Sequence, residues 1–215
     1  PTQPLRFKTI LLAPPTVIKA GFPNIQAGLT RGVMEAGSTF GLPGNGRCFL
    51  QDKAGMFWIG TDKGLARYDG VNLEIYGTEQ GIQDPNIWSI CEDARQRLWI
   101  GTGNGEVFVL DRPSGIILKL ADTFPRGSNF GIMRDRDGQM WIARSGQGYI
   151  IVNESAGTVK KFSKREGLAG NNPAIKILQD KDHRIWLNSS SGVTVIDNQA
   201  HKLKRLFTED AIFSL

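Results

Sequence analysis

The residues able to do acid–base or nucleophilic chemistry are few, and their spacing assembles no reaction centre. Among 215 residues there are two histidines, His183 and His201, and two cysteines, Cys48 and Cys91. Neither histidine stands near a Ser or Cys in a nucleophile motif. His183 falls where a turn is expected and His201 precedes the basic Lys202, so both read as solvent-facing. The cysteines have no Cys-x-x-Cys or Cys/His neighbours, which removes a zinc site, and two buried free thiols are expected. No catalytic residue, metal site or cofactor is expected in this chain.

The aspartates look more promising at first. Asp135-Arg136-Asp137-Gly138 and Asp180-Lys181-Asp182 resemble the opening of a calcium loop. However, the downstream bidentate Glu is missing and the interleaved positions are basic. The decisive point is repetition: Asp52, Asp93, Asp135 and Asp180 each stand six residues before a tryptophan. A catalytic carboxylate pair occupies one place, whereas an aspartate copied into every repeat serves a turn, its carboxylate bonding backbone amides.

Those aspartates lie in four similar segments. The four segments are QDKAGMFWIGTDKGLARYD, EDARQRLWIGTGNGEVFVLD, RDRDGQMWIARSGQGYIIVN and QDKDHRIWLNSSSGVTVID. Their tryptophans, Trp58, Trp99, Trp141 and Trp186, lie 41, 42 and 45 residues apart (58 to 99, 99 to 141, 141 to 186). That period, about 40–50 residues, is one four-stranded propeller blade. After each Trp comes Ile59, Ile100, Ile142 or Leu187, then a glycine (Gly64, Gly105, Gly148, Gly192) where a hairpin reverses. A last strand is expected over Asn72–Tyr76, Ile116–Leu120, Val159–Phe162 and Lys202–Phe207. The fold class is therefore all-β: a propeller of four-stranded antiparallel blades, about four repeats, read as part of a larger propeller. Residues 1–40 are an extended lead-in and 41–215 the blades. Ile212-Phe213-Ser214-Leu215 mirrors Ile87-Trp88-Ser89-Ile90, so a fifth blade is expected to open at the C-terminus.

Gly41-Leu42-Pro43 through Asp69, with Trp58-Ile59-Gly60-Thr61 and Gly64-Leu65 inside it, resembles the two-component regulator propeller repeat. The second repeat keeps Trp99-Ile100-Gly101-Thr102, while the third and fourth read Ala143-Arg144 and Asn188-Ser189 in place of Gly-Thr. The resemblance covers residues 41–215 and not 1–40. It implies a periplasmic ligand-sensing domain of a bacterial two-component or hybrid histidine kinase receptor, with no catalysis of its own. The implied ligand is a small molecule or oligosaccharide, and the implied partner a second copy or the remainder of the propeller. Two other classes stay open: an interaction scaffold that only pairs receptor subunits, and a propeller lyase using a His and acidic residues.

Binding residues are sought where the repeat is broken or the loops vary. Arg47 and Trp88 occupy the same place in the first strands of two blades, where Phe130 and Ile175 are equivalent; Arg126 lies in a blade-joining loop. With Arg144 and Asn188, the two exceptions to the Gly-Thr rule, they form the candidate ligand-binding set. The net charge of +5 suits an acidic ligand, and its spread over several segments argues against nucleic acid. The basic outer strands, with Lys160-Lys161 and Lys202 to Arg205, read as edges guarded against pairing with other chains. No run approaches the roughly 18 apolar residues of a membrane helix, so membrane attachment is expected only through a segment outside these residues.

Overall fold

A computed structural model describes residues 2–21, 41–121, 124–197 and 202–206. Each repeat supplies four antiparallel strands. The first blade holds β4 (Gly46–Gln51), β5 (Phe57–Thr61), β6 (Gly64–Tyr68) and β7 (Asn72–Tyr76). The second holds β8 (Ile87–Glu92), β9 (Leu98–Thr102), β10 (Val107–Asp111) and β11 (Ile116–Leu120). The third holds β12 (Asn129–Arg134), β13 (Met140–Arg144), β14 (Gly148–Asn153) and β15 (Thr158–Phe162). The fourth holds β16 (Pro173–Gln179), β17 (Ile185–Ser189), β18 (Gly192–Asp197) and β19 (Lys202–Leu206). The sequence repeat and the structural blade coincide. The expected fifth-blade strand at 212–215 and His201 lie outside the described residues.

One device recurs in all four blades. The aspartate accepts the backbone N–H four residues on, closing the turn between first and second strands, and also the indole N–H of the tryptophan. Trp58, Trp99, Trp141 and Trp186 donate to Asp52, Asp93, Asp135 and Asp180 at 2.8, 3.0, 2.8 and 2.8 Å. The matching amide bonds, from Met56, Arg97, Gln139 and Arg184, are 2.8–3.0 Å. One carboxylate thus fixes both the turn and the rotamer of the largest core side chain.

Trp58, Trp99 and Trp141 each face the following blade. Trp58 packs with Ile87, Leu98 and Phe108, Trp99 with Met140, Ile142 and Ile150, and Trp141 with Ile177, Ile185 and Leu187. Burial of these apolar faces, at about 25 cal/mol per Å2, is what holds blade to blade. Close approach explains the Gly of Trp-Ile-Gly-Thr. A Cβ on Gly60 would meet Ile87 of the next inner strand at 2.7 Å, and one on Gly101 would meet Asn129 at 2.8 Å. The inner strands β4, β8, β12 and β16 pack in that order along the inside of an arc.

The N-terminal segment contributes what the repeat does not announce. Its strands β1 (Thr2–Pro4), β2 (Phe7–Leu11) and β3 (Thr16–Lys19) each add a fifth, outermost strand to a blade, in reverse order along the arc. β1 pairs β15 of the third blade, β2 pairs β11 of the second and β3 pairs β7 of the first, all antiparallel. Leu5, Phe7, Ile10 and Leu12 pack against the inter-blade cores on the way. This overturns the reading of lysines as edge guards on β15. Thr2 lies opposite Lys160, and the strand is paired. The lysine side chains leave the sheet face while the backbone edge between them stays available, so a lysine on an outer strand does not bar strand addition here.

Candidate functional site

The inner strands of the first three blades carry the same irregularity. Register slips by one residue between Gly46 and Cys48, between Ile87 and Ser89 and between Asn129 and Gly131. The residues left over are Arg47, Trp88 and Phe130. A bulged residue loses its ladder partner and turns its side chain out of the sheet's alternation. The three meet across the blades: the Arg47 guanidinium lies 4.6 Å from the Trp88 ring, and the Trp88 and Phe130 rings are 5.2 Å apart. Arg47 is exposed; Trp88 and Phe130 are half-buried. The outcome is a ladder of one cation and two aromatic rings along the inside of the arc, each rung from a different blade.

The ground beneath the ladder is specific. Gly103 accompanies Trp88, since a Cβ there would lie 2.9 Å from the indole nitrogen and 2.5 Å from the Asn86 amide nitrogen. The Trp88 indole nitrogen and the Asn86 Oδ1 are buried and carry no hydrogen bond among the described residues. Beside them, Ser128 donates to the Gly103 carbonyl at 2.6 Å, and the Asn129 amide donates to the Glu106 carbonyl at 2.7 Å.

The remaining predicted residues lie at different depths. Arg126 is exposed on the loop before β12, its guanidinium 3.7 Å from the Glu106 carboxylate, which Lys119 also contacts. Arg144 is fully buried at the end of β13, where its Nε donates to Asn129 Oδ1 at 3.2 Å. Asn188 is buried on β17, its Oδ1 without a partner among the described residues and its carbonyl accepting the Tyr149 hydroxyl at 2.8 Å. The structure therefore joins Arg47 and Trp88 through Phe130, sets Arg126 on the adjoining rim and places Arg144 and Asn188 inside the blades. The side chain of Ile175, the fourth-blade counterpart, lies outside the described residues. Glu106 and Lys119 were missed, because nothing in the repeat pattern marks them.

Among titratable groups away from the ladder, the cysteines and His183 serve structure. Burial pushes the Cys48 thiol up to about 11, with a backbone hydrogen bond from Gly60 opposing it, and burial likewise raises Cys91. His183 occupies a left-handed turn position at φ 63°, where Gly55 and Gly138 stand in other blades. Among the described residues no group of three or more His, Cys, Asp or Glu could hold a metal ion. Nor is any described helix long and apolar enough to cross a membrane.

Comparison with known proteins agrees with this architecture. The sequence profile of the two component regulator propeller family matches residues 81–104. Histidine kinase P4 of Formosa agariphila is 42% identical over 183 residues, covering 75% of this chain and 13% of that protein. The extracellular domain of a Bacteroides thetaiotaomicron protein described as a hybrid two component system superposes with a TM-score of 0.68 at 24% identity, covering 76% of this chain and 23% of that one. Virginiamycin B lyase from Staphylococcus aureus shares the fold, with a TM-score of 0.65 at 13% identity over 96% of this chain and 75% of the lyase. The chain thus spans a small part of the receptor-type proteins it matches. With four in-phase blades and a profile match at residues 81–104, the chain carries the two component regulator propeller repeat.

Proposed function

We propose that this chain is a non-catalytic, ligand-sensing part of the periplasmic propeller of a bacterial two-component receptor. The observation that carries the reading is the ladder of Arg47, Trp88 and Phe130, one rung per blade on the inside of the arc. Aromatic faces accept the C–H faces of sugar rings, and a guanidinium takes a carboxylate in bidentate fashion. An acidic oligosaccharide is the ligand class that uses both, and Arg126 on the rim adds a second cation. Binding at a surface shared by three blades would favour one blade arrangement over another, which is what a sensor requires. The likeness to a histidine kinase sequence and to extracellular domains of two-component systems supports the receptor context.

Titration of the chain with neutral and uronic-acid oligosaccharides, followed by calorimetry and tryptophan fluorescence, tests the reading. Uronic-acid oligomers are expected to bind, and Trp88→Ala or Arg47→Ala to weaken them about tenfold, the loss expected for one stacking or charged contact. Absence of binding, or binding unchanged in both variants, overturns it. A lyase reading has less support, because His183 sits in a turn and the likeness to the lyase is one of fold.

A further inference from the structure

One position in the row of side chains beside the repeat tryptophan is apolar in three of the four blades. Opposite that tryptophan stand Val109, Ile151 and Val195 in the second, third and fourth blades, but Arg67 in the first. The Arg67 side chain is 15% exposed, and its Nε is buried without a hydrogen-bond partner among the described residues. A buried guanidinium costs stability where an aliphatic side chain would serve, and such departures from the local rule gather at binding sites. Arg67 borders a cavity of about 130 Å3 between the first and second blades. The cavity lies away from the ladder: Asp52 on its wall follows the end of β4, whereas Arg47 lies near the start of that strand.

The walls of this cavity differ in charge. Trp58, Leu98 and Leu110 give it an apolar floor. Arg67 on β6 and Arg112 just after β10 come from the third strands of their blades. Their guanidiniums lie 5.8 and 5.9 Å from the Trp58 ring and share one carboxylate, Glu74, at 3.2 and 2.8 Å. Two further carboxylates come from the first strands: Asp52, which accepts from the Trp58 indole, and Glu92, which accepts from the Lys53 amide at 3.0 Å. Cations on one side, carboxylates on the other and hydrocarbon between them fit a small molecule that carries both charges on an apolar body. A simple anion would also meet Asp52 and Glu92, and a simple cation the two guanidiniums. We infer that this inter-blade cavity binds a small zwitterion of the α-amino acid class. Its carboxylate meets Arg67 and Arg112, its ammonium meets Glu92 and Asp52, and its side chain rests on Leu98 and Leu110. The inference does not depend on the ligand ladder.

Calorimetry with L-alanine as the probe tests it, beside propionate, which lacks the ammonium, and ethylamine, which lacks the carboxylate. L-alanine is expected to bind, and each analogue to bind about tenfold more weakly, the order expected when one charged hydrogen-bonded contact is lost. Arg67→Val installs the residue type of the other blades, so the chain should keep or raise its thermal midpoint while L-alanine affinity falls about tenfold. Glu92→Gln keeps an acceptor for the Lys53 amide and removes the charge. It should weaken L-alanine and leave propionate binding no weaker. Should Arg67→Val fail to fold, Glu92→Gln alone decides. Three results overturn the inference: no binding of L-alanine, an analogue that binds as tightly as L-alanine, or unchanged L-alanine affinity in either folded variant.

Discussion

Asp180 shows how a single carboxylate couples turn, core and pH. Burial pushes its pKa up. The hydrogen bonds from the Trp186 indole, the Arg184 side chain and the Arg184 amide, with the Arg184 charge, outweigh that and bring it from 3.8 down to about 2. Asp93 is lowered in the same way: burial raises it, and bonds from Trp99 and Arg97 prevail. Because the folded-state pKa lies below the unfolded value, the stabilisation is complete above about pH 4 and is lost as pH falls toward 2. Urea midpoints measured from pH 6 to pH 2 should therefore fall across that window. In Asp180→Asn the curve should begin lower and run flatter there; parallel curves for the two proteins would sink the assignment. Asp93 adds a second link, since Arg97 also pairs with Glu154 at 2.5 Å and so ties the second blade to the third.

At the scale of elements, the N-terminal strands and the bulges are the parts that sequence reading did not recover. The Trp–Asp pairs were legible because every blade repeats them, and the last strands fell at Asn72–Tyr76 and Ile116–Leu120 as their alternation implied. β1, β2 and β3 have 3, 5 and 4 residues and share no period; their register comes from the edges they meet. Likewise Arg47 and Trp88 could be aligned from sequence, but the slip that brings them together is a property of paired strands. Arg144 was singled out as a departure from Gly-Thr, and only packing shows that it lies at 0% exposure. The N-terminal strands matter energetically: Phe7 packs edge-on against Trp99 at 6.1 Å, and Ile10 and Leu12 join the first inter-blade core. Phe7→Ala is expected to cost about 2 kcal/mol, less than for a fully buried aromatic because Phe7 is half-buried. Removing residues 1–21 should bare three edges and cause aggregation, seen as light scattering on warming. A soluble truncated chain with an unchanged urea midpoint would show that these strands are ornamental.

Among the described residues the four blades form an arc with two unlike ends. On the first blade, Phe49 (82% exposed) and Phe57 (45%) face away from the second blade. On the fourth, Leu178 (45%) and half-buried Trp186 face away from the third. Trp58, Trp99 and Trp141 each find a neighbouring blade, whereas among the described residues no blade lies on the Trp186 face. In a two-fold pair, the fourth blade of each copy would lie on the first blade of the other. That arrangement makes two identical junctions and a ring of about eight blades, within the range propellers adopt. Light scattering over a concentration series should then rise from 23.7 kDa toward twice that mass. Because both junctions use the same two faces, either Phe49→Asp or Leu178→Asp alone should return the chain to monomer, and neither touches the Arg47–Trp88–Phe130 ladder. Asn188 bears on how such a junction packs. It stands where Gly60 and Gly101 admit the next inner strand, so a blade seated there must leave room for its side chain. A chain that stays monomeric at every concentration would mean that these end faces are reserved for blades of a longer protein.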